Sequence, residues 1–278
     1  MVAHTLGVSF DLEKILELKK KYNLWLIEDS CDALGSRYNG KLVGTFGDMA
    51  TYSFYPAHQM TMGEGGAVIT NNPLIYKANR QFRDWGRDCW CDTGKDNTCG
   101  KRFQWKLGDL PEGYDHKYIY TQIGFNLKLT DFQAAIGLAQ IKKLPTFIKK
   151  RKENYQILRT FFKPYEKYFR FIELSEKEDP CWFGFPILVR DDAPFKRNDL
   201  TEYLEKHKIG TRNVFAGNLL RHPAYMNLKN KRVTGPMTNA DAVMNHAFWL
   251  GVFPGIKKPQ MAYVKKVLKS FLEQYENK

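Results

Sequence analysis

Two short apolar segments, each followed at once by polar side chains, most constrain how this 278-residue chain can fold. Residues 24–27 form a continuous apolar run, which is typical of a parallel strand buried on both faces. Residues 28–32, Glu-Asp-Ser-Cys-Asp, follow it directly. A second apolar run, residues 49–54, leads into a loop that carries Tyr55 and His58. Open α/β sheets build their sites beyond such strand ends, so we expect a functional site here.

The composition is that of a globular protein without a membrane span. Hydrophobic residues make up 43% of the chain and charged residues 26%, and no run approaches the roughly 20 apolar residues of a spanning helix. We therefore predict a cytoplasmic protein. The net charge of +13 is spread along amphipathic helices, which favours a solvated face or an anionic partner over nucleic acid.

The hydrophobic periodicity predicts α/β organisation with two domains. Asp11 and Asn72-Pro73 are typical starts of helices that run to about Tyr22 and Trp85. Strands are expected at 49–54 and 66–70, and a helix from Thr130 to Ile141. We place a large domain at 1–145, with a Cys-rich loop at 86–128, and a small α+β domain at 146–278. The elements expected in the small domain are a helix to about Phe162, strands at 170–174, 182–189 and 210–214, and helices at 199–207 and 260–275.

The five cysteines indicate metal binding or catalysis. An odd number of cysteines in a chain expected to be cytoplasmic argues against a disulfide framework. Cys31, Cys89, Cys91 and Cys99 could supply four thiolates, which suit either an iron–sulfur cluster or a structural zinc ion. The ligand chemistry alone does not separate these two. Cys181 is left over and is interpreted as a buried thiol.

The stretches 28–35 and 53–67 closely resemble the sugar aminotransferase (DegT/DnrJ/EryC1/StrS) family, whose members carry vitamin B6 on the aspartate aminotransferase type I fold. That family normally has a lysine, which holds the cofactor as a Schiff base, where this chain has His58. The substitution marks the sugar 3-dehydrase branch. An imidazole forms no imine, but it accepts and returns protons near neutral pH. The resemblance therefore implies that His58 is catalytic.

The same resemblance implies roles for further residues. Asp29 matches the acid that pairs with the protonated pyridine nitrogen, and Ser53 matches the serine that donates to the cofactor phosphate. Asn126 matches a residue that family dimers send into the neighbour's phosphate site. Positions that line the cofactor or substrate are matched by Asp32, Tyr55 and Phe183, and Arg212 resembles a substrate-diphosphate contact.

The cysteine spacing resembles the ligand pattern of dehydrases that carry a 2Fe-2S cluster. Fifty-seven residues separate Cys31 from Cys89, one separates Cys89 from Cys91, and seven separate Cys91 from Cys99. The resemblance favours iron over zinc at Cys31, Cys89, Cys91 and Cys99. It also distinguishes the chain from the cluster-free branch that acts on GDP-sugars.

The implied activity is pyridoxamine 5'-phosphate-dependent removal of the C3 hydroxyl from CDP-4-keto-6-deoxy-D-glucose. This reaction belongs to the biosynthesis of 3,6-dideoxyhexoses for lipopolysaccharide O-antigens. His58 would remove a proton from the cofactor, and an NADH-dependent flavin and iron–sulfur reductase would supply electrons through the 2Fe-2S cluster. The implied assembly is a homodimer, with neither nucleic acid nor membrane as partner.

Three alternatives are kept: a sugar aminotransferase, a cluster-free 3-dehydratase, and an inactive metal-binding fragment. The family pattern places strands and a Gly/Ser-rich helix start upstream of the helix at Asp11. On that comparison we expect the chain to be N-terminally truncated, with an incomplete large domain and no turnover when expressed alone.

Overall fold

The computed structural model describes residues 1–92 and 94–276. The strands are β1 (Val2–Ala3), β2 (Ile27–Asp29), β3 (Arg37–Tyr38), β4 (Lys41–Leu42), β5 (Met49–Ser53), β6 (Gly66–Ile69), β7 (Phe169–Arg170), β8 (Glu178–Asp179), β9 (Gly184–Val189), β10 (Thr211–Asn213) and β11 (Ala247–Gly251). The α-helices are α1 (Leu12–Tyr22), α2 (Pro73–Arg83), α3 (Asp131–Ile141), α4 (Leu144–Phe162), α5 (Arg197–Lys206), α6 (Pro223–Met226), α7 (Thr238–His246) and α8 (Lys258–Glu276). Four 3-10 turns lie at Thr5–Gly7, His116–Tyr118, Lys163–Tyr165 and Leu219–Arg221.

The first of two compact units combines Met1–Ala3, Asp11–Cys31 and Gly44–Ile141. Its sheet has the strand order β1-β2-β5-β6. The pairs β1–β2 and β2–β5 are parallel, whereas β6 runs antiparallel to β5. The carboxyl ends of β2 and β5 therefore lie side by side, as the sequence predicted for the site.

The helix starts in this unit confirm the capping signals in the sequence. The Asp11 carboxylate accepts a hydrogen bond from the Lys14 N–H at 3.0 Å. The Asn72 side chain accepts from the Leu74 N–H at 2.9 Å, and Pro73 occupies the first turn of α2. These bonds satisfy backbone donors that a helix leaves unpaired at its start.

The predicted strand at 24–27 is wrong in its position. The strand begins at Ile27, and Trp25 is 67% exposed. Asn23 ends α1 in a left-handed conformation, with φ of 49°. The Leu26 N–H then donates to the Asp48 carboxylate at 2.7 Å rather than to a neighbouring strand. Most of the apolar run at 24–27 therefore lies in the connection between α1 and β2. The strand itself begins at Ile27 and includes the acidic residues Glu28 and Asp29.

A buried carboxylate organises the connection that leads into β5. Glu28 is completely buried, and its two oxygens accept hydrogen bonds from the N–H groups of Gly44, Phe46 and Gly47 at 2.7, 2.7 and 2.5 Å. Several backbone donors on one carboxylate satisfy its charge without water. The connection 44–47 is therefore folded around the Glu28 side chain.

Gly44 is required by this packing. Its φ is +87°, and a Cβ there would lie 2.1 Å from the Tyr52 hydroxyl. Burial, together with the nearby Glu28 carboxylate, raises the pKa of Tyr52. Tyr52 and Glu28 are therefore packed on the same buried face of the sheet.

The second unit contains His4–Phe10, Asp32–Val43 and the chain from Lys142 onward. Its larger sheet has the order β10-β11-β9-β7, and a smaller one has the order β4-β3-β8. The buried core is rich in aromatic rings, and Tyr155 stacks on Trp182 with centroids 3.6 Å apart. The largest side chains that are fully buried in it include Phe162, Phe169, Phe185 and Phe248.

Several strands and helices expected from the sequence differ from those observed in this unit. The strand expected at 170–174 is reduced to Phe169–Arg170, and the strand expected at 182–189 begins at Gly184. β11 and α7 were missed, although β11 is an inner strand of the larger sheet. The signal was the apolar run Ala-Phe-Trp-Leu-Gly at 247–251.

The domain boundary at Pro145 stays a prediction. Pro145 lies in the first turn of α4 rather than between helices. The second unit also includes the two early segments, which the sequence placed within 1–145. Within 1–92 and 94–276, no helix is both long and apolar enough to cross a membrane.

Replacing Glu28 with alanine should destabilise the protein strongly. Hydrogen bonds to charged groups contribute about 1.5–3 kcal/mol each, so removing the common acceptor of three N–H groups should lower the free energy of unfolding by at least about 3 kcal/mol. Urea unfolding followed by circular dichroism measures this change. Glu64→Ala, at an exposed position, is the matched control and should shift stability by less than about 0.5 kcal/mol. Equal stability of the two variants would show that Glu28 does not organise this connection.

Candidate active site

The Asp29 carboxylate lies at the carboxyl end of β2, on the sheet face opposite to Glu28, because neighbouring residues of a strand alternate in direction. Its Oδ1 accepts hydrogen bonds from the Cys31 N–H at 3.1 Å and from the Thr51 hydroxyl at 3.3 Å. No Lys, Arg or His side chain forms an ion pair with it in the described part of the chain. Asp29 is thus a positioned acid that is available to a cationic ligand group.

Thr51 and Ser53 continue this polar face on the adjacent strand. Thr51 is directly opposite Asp29 in the parallel register, and its Oγ1 is also 3.7 Å from the Cys31 Sγ. Ser53 follows two residues later and therefore shares the same face of β5. The Ser53 Oγ accepts from the Tyr55 N–H at 3.3 Å, which leaves the hydroxyl proton to be donated. The sequence analysis missed Thr51, which the pairing of β2 with β5 identifies.

The loop that follows β5 carries the imidazole of His58, five residues after Ser53 in the sequence. The His58 N–H donates to the Tyr55 carbonyl at 3.0 Å, which closes a turn. The two rings meet edge to face, with centroids 6.3 Å apart. The Met62 N–H donates back to the Phe54 carbonyl at 2.8 Å, and Met60 is buried beneath the loop. His58 is therefore held on an anchored loop while Tyr55 stays exposed.

The four cysteines predicted as ligands all belong to the first unit. The Cys91 Sγ lies 3.0 Å from the Thr98 Oγ1, and this hydrogen bond lowers the pKa of Cys91. Burial raises the pKa of Cys89, and the neighbouring thiols of Cys91 and Cys99 add to the effect. Among residues 1–92 and 94–276, no group of three or more His, Cys, Asp or Glu side chains is arranged to hold a metal ion. The four-cysteine site accordingly stays a prediction.

A buried pair that the sequence analysis did not identify stabilises the Cys-rich loop. His116 Nε2 lies 2.8 Å from Asp88 Oδ2, and Gln81 donates to Asp88 Oδ1 at 2.6 Å. Burial favours the neutral acid, but the bond with His116 and the charge of Lys77 hold the pKa of Asp88 below its usual value. The loop 86–128 therefore has a polar centre of its own.

Two tryptophans complete the packing of this centre. Trp105 stacks on the His116 ring with centroids 4.6 Å apart, and Trp90 meets it nearly at right angles at 5.3 Å. Trp90 lies between Cys89 and Cys91 in the sequence. The ring packing therefore fixes the backbone that carries these two thiols.

Asn126 lies on the exposed return of this loop. It forms a backbone bridge with Asp84, where Gly86 and Gly124 approach so closely that a Cβ on Gly124 would be 2.3 Å from the Gly86 nitrogen. The side chain of Asn126 is exposed. It is accessible to a partner molecule, as the predicted role requires.

The second unit holds the other predicted site residues. Phe183 is buried, its N–H donates to the Leu6 carbonyl at 2.9 Å, and its ring meets Trp249 with centroids 5.4 Å apart. Arg212 is exposed on β10, directly opposite Trp249 on β11. Trp249 therefore contacts both predicted substrate residues, although the sequence analysis did not identify it.

Asp32 has a structural contact in this unit. Its Oδ2 accepts a hydrogen bond from the Leu6 N–H at 3.1 Å, within a turn where Leu6 has φ of 54°. A Cβ on Gly7 would lie 2.3 Å from the Cys181 carbonyl oxygen. Asp32 thus supports the tightly packed turn Thr5–Gly7, whose Leu6 carbonyl accepts the hydrogen bond from the Phe183 N–H.

Polar groups lie at the carboxyl ends of the parallel strands β2 and β5, where α/β sheets commonly build their sites. Escherichia coli GDP-4-keto-6-deoxy-D-mannose-3-dehydratase, solved with bound hydrated PLP, is similar with a TM-score of 0.81 and 24% identity, over 96% of this chain and 66% of that one. The predicted fold, the type I fold of the vitamin B6 enzymes, is confirmed. The model of the DegT/DnrJ/EryC1/StrS aminotransferase family matches residues 1–269, and the chain belongs to that family.

Two curated relatives are similar over nearly the whole chain. Lipopolysaccharide biosynthesis protein RfbH of Salmonella typhimurium is 51% identical over 98% of this chain and 62% of its own length. The dTDP-4-dehydro-2,6-dideoxy-D-glucose 3-dehydratase of Saccharopolyspora spinosa is 46% identical over 98% of this chain and 58% of its own length. The chain thus spans about three fifths of the length of these relatives.

Proposed function

We propose that this chain contributes the site of a pyridoxamine 5'-phosphate-dependent 3-dehydratase that acts on nucleotide-linked 4-keto-6-deoxysugars. The observation that carries the proposal is His58, which stands on an anchored loop next to the strand end that presents Ser53 and Asp29. An imidazole at the position of the family's lysine supports proton transfer without a covalent cofactor link. The name of the Saccharopolyspora spinosa relative, a 3-dehydratase, supports this branch of the family.

The residues present fit the cofactor. Asp29 is an acid without a cationic partner in the described residues, as a protonated pyridine nitrogen requires. Ser53 retains a hydroxyl proton to donate to the phosphate. Tyr55 supplies an exposed ring, and Asp32 is proposed to line the cofactor. When bound, the cofactor supplies an electron sink for cleavage of the C3–O bond.

His58 performs the proton transfer in this proposal. Its imidazole would take a proton from the C4′ carbon of the bound cofactor and return it to the sugar's C3 hydroxyl, which would leave as water. A base with a pKa near the working pH both accepts and returns the proton efficiently. Backbone hydrogen bonds from His58 to Tyr55 and from Met62 to Phe54 hold the loop, and they thereby restrict the position of the imidazole.

Phe183, Trp249 and Arg212 are proposed to bind the substrate. The two rings offer an apolar wall for a deoxysugar, and the guanidinium at Arg212 offers a charge for its diphosphate. The Saccharopolyspora spinosa relative is named for a dTDP-linked sugar, so we propose a nucleotide-linked 4-keto-6-deoxysugar as the substrate class. Within it we propose CDP-4-keto-6-deoxy-D-glucose, with an NADH-dependent flavin and iron–sulfur reductase as partner.

In a full-length version of the protein, replacing His58 with asparagine should abolish dehydration but leave cofactor binding intact. Asparagine keeps the polarity of the loop, but it cannot take up a proton, so product formation should fall by about 10²–10⁴-fold. Cofactor binding is measured by absorbance titration with pyridoxamine phosphate. Product is measured by chromatography with substrate, NADH and reductase present.

His207→Asn is the matched control, because the Nδ1 of this histidine lies 2.8 Å from the Tyr203 carbonyl oxygen and the residue lies outside the proposed site. Its turnover should equal that of the unmodified full-length version. Full turnover in the His58 variant would contradict the proposal. Transfer of an amino group from glutamate to the sugar would instead favour the aminotransferase alternative.

We also propose that Cys31, Cys89, Cys91 and Cys99 bind a 2Fe-2S cluster. Three of the thiols lie in one loop, and those of Cys89 and Cys91 interact directly. Anaerobically purified protein should therefore contain two irons and two acid-labile sulfides per chain. Iron and sulfide assays check this, and Cys181→Ser is the control that should keep the cluster, because Cys181 is buried in the second unit. Stoichiometric zinc without sulfide would exclude the cluster, and protein without either metal would favour the cluster-free dehydratase.

We propose that the chain forms a homodimer through an apolar face of the first unit. The first unit exposes Ile123 at 95% and Phe132 at 86%, and we propose that both take part in this interface. Asn126 lies on the same segment as Ile123, so a second copy seated here would meet the residue expected to reach the neighbour's phosphate. Large exposed apolar patches are typical of interfaces between proteins.

Phe132→Glu should convert the dimer into a monomer, because a carboxylate buried in an apolar interface is left unpaired. Sedimentation velocity measures the mass of each species. Met226→Glu is the control, because Met226 is an exposed apolar residue of the second unit, and it should remain dimeric. A monomeric unmodified chain would refute the dimer, and a dimer of Phe132→Glu would place the interface elsewhere.

A further inference from the structure

A cavity of about 370 Å³ lies within the second unit. It is enclosed by the segment after β10, by the last turn of α7 and by the start of α5, where Arg197, Phe215 and Met244 contribute to its wall. Cavities of this size are typical of sites for small molecules. No residue of it belongs to the site proposed above.

The cavity wall is rigidly built. Gly217 has φ of +61°, and a Cβ there would lie 2.6 Å from the Met244 Cβ, so the loop closes directly onto α7. The buried Asn218 side chain donates to the Asp241 carboxylate at 2.7 Å. His222 Nε2 lies 2.8 Å from the Ala216 carbonyl oxygen and fixes the return of the loop. The shape of the cavity is therefore set by these contacts within the second unit.

The cavity has an uncompensated positive charge. Arg221 is neutralised by Asp241 through two contacts of 3.1 and 2.8 Å. Arg197 has no acidic partner among the described residues, and its guanidinium donates to the Met244 carbonyl at 2.6 Å and to the Asn198 side chain at 3.0 Å. Partial burial without a counter-charge lowers the pKa of Arg197. An anion in the cavity would remove this electrostatic cost.

An aromatic ring stands at the mouth of the cavity. Phe215 is 56% exposed and has φ of 48°, a conformation that is unusual for a bulky side chain. Its N–H donates to the Asn213 carbonyl at 2.8 Å. Strain of this kind persists where the surrounding structure imposes it, and it is concentrated at ligand sites. An exposed ring beside a cation suits a base linked to a phosphate.

We infer that this cavity binds a phosphate-bearing anion, with the phosphate at Arg197 and His222 and any attached base against Phe215. Two sources share this chemistry: a nucleoside diphosphate and free inorganic phosphate. The nucleotide source rests on the proposed function, whereas the anion site itself does not. Asn213 and Asn245, which also line the cavity, supply amide groups for the remaining oxygens.

The test is isothermal titration calorimetry of the full chain with CDP, cytidine and inorganic phosphate. Arg197→Gln should weaken CDP binding by roughly 10- to 100-fold, because a contact between a guanidinium and a phosphate is lost. Arg170→Gln is the matched control, since Arg170 is exposed on β7 and lies outside the cavity, and it should bind as the unmodified chain does. Cytidine should bind far more weakly than CDP.

Phe215→Ala distinguishes the two sources. If the nucleotide is the ligand, this variant should weaken CDP binding and leave phosphate binding unchanged. Arg197-dependent binding in which CDP is no tighter than phosphate would support the anion site with free phosphate as its source.

Val243→Phe keeps the proposal testable if Arg197→Gln lowers stability, because it fills the cavity and leaves the arginine in place. Thermal unfolding shows whether each variant is folded. CDP and phosphate binding that is unaffected by both variants would overturn the inference. The measurement needs neither cofactor nor turnover, so loss of the proposed catalytic function would not change its result.

Discussion

The buried carboxylate of Glu28 is the interaction on which the first unit depends most. Its two oxygens accept hydrogen bonds from the backbone N–H groups of Gly44, Phe46 and Gly47, which fixes the conformation of the connection at 44–47. The end of that connection sets where β5 begins. Thr51 and Ser53 then lie toward the carboxyl end of β5. A charge that never contacts a substrate thereby positions the groups proposed to bind one.

The sequence predicted the parts of this arrangement that local chemistry determines. The caps at Asp11 and Asn72 were found, because side-chain oxygens at helix starts satisfy donors within a few residues. The strand at Ile27–Asp29 was placed too early, because the apolar run before it is paired with Asp48, twenty-two residues away. Hydrophobic pattern alone does not show such a non-local contact.

The same distinction holds for the candidate site. His58, Asp29 and Ser53 were predicted because they occur in a motif, and the pairing of β2 with β5 places Asp29 and Ser53 on one face of the sheet. Thr51, Trp249 and the pair of Asp88 with His116 were missed. Each acts through a contact with a residue distant in the sequence, and each looks like an ordinary strand or loop residue on its own.

The alternation of Glu28 and Asp29 along β2 has a consequence for how the protein must fold. These adjacent acids serve opposite faces: one neutralises backbone donors in the interior, and the other stays available at the surface where a ligand would bind. Since side chains alternate with a period of two, a slip of β2 by a single residue against β5 would exchange their places. Asp29 has a shorter side chain and would not reach the donors at 44–47, so the misaligned pairing would leave them without an acceptor. The interior acid therefore acts as a check on strand alignment, because the Glu28 hydrogen bonds form only when the half-buried Asp29 lies on the opposite face.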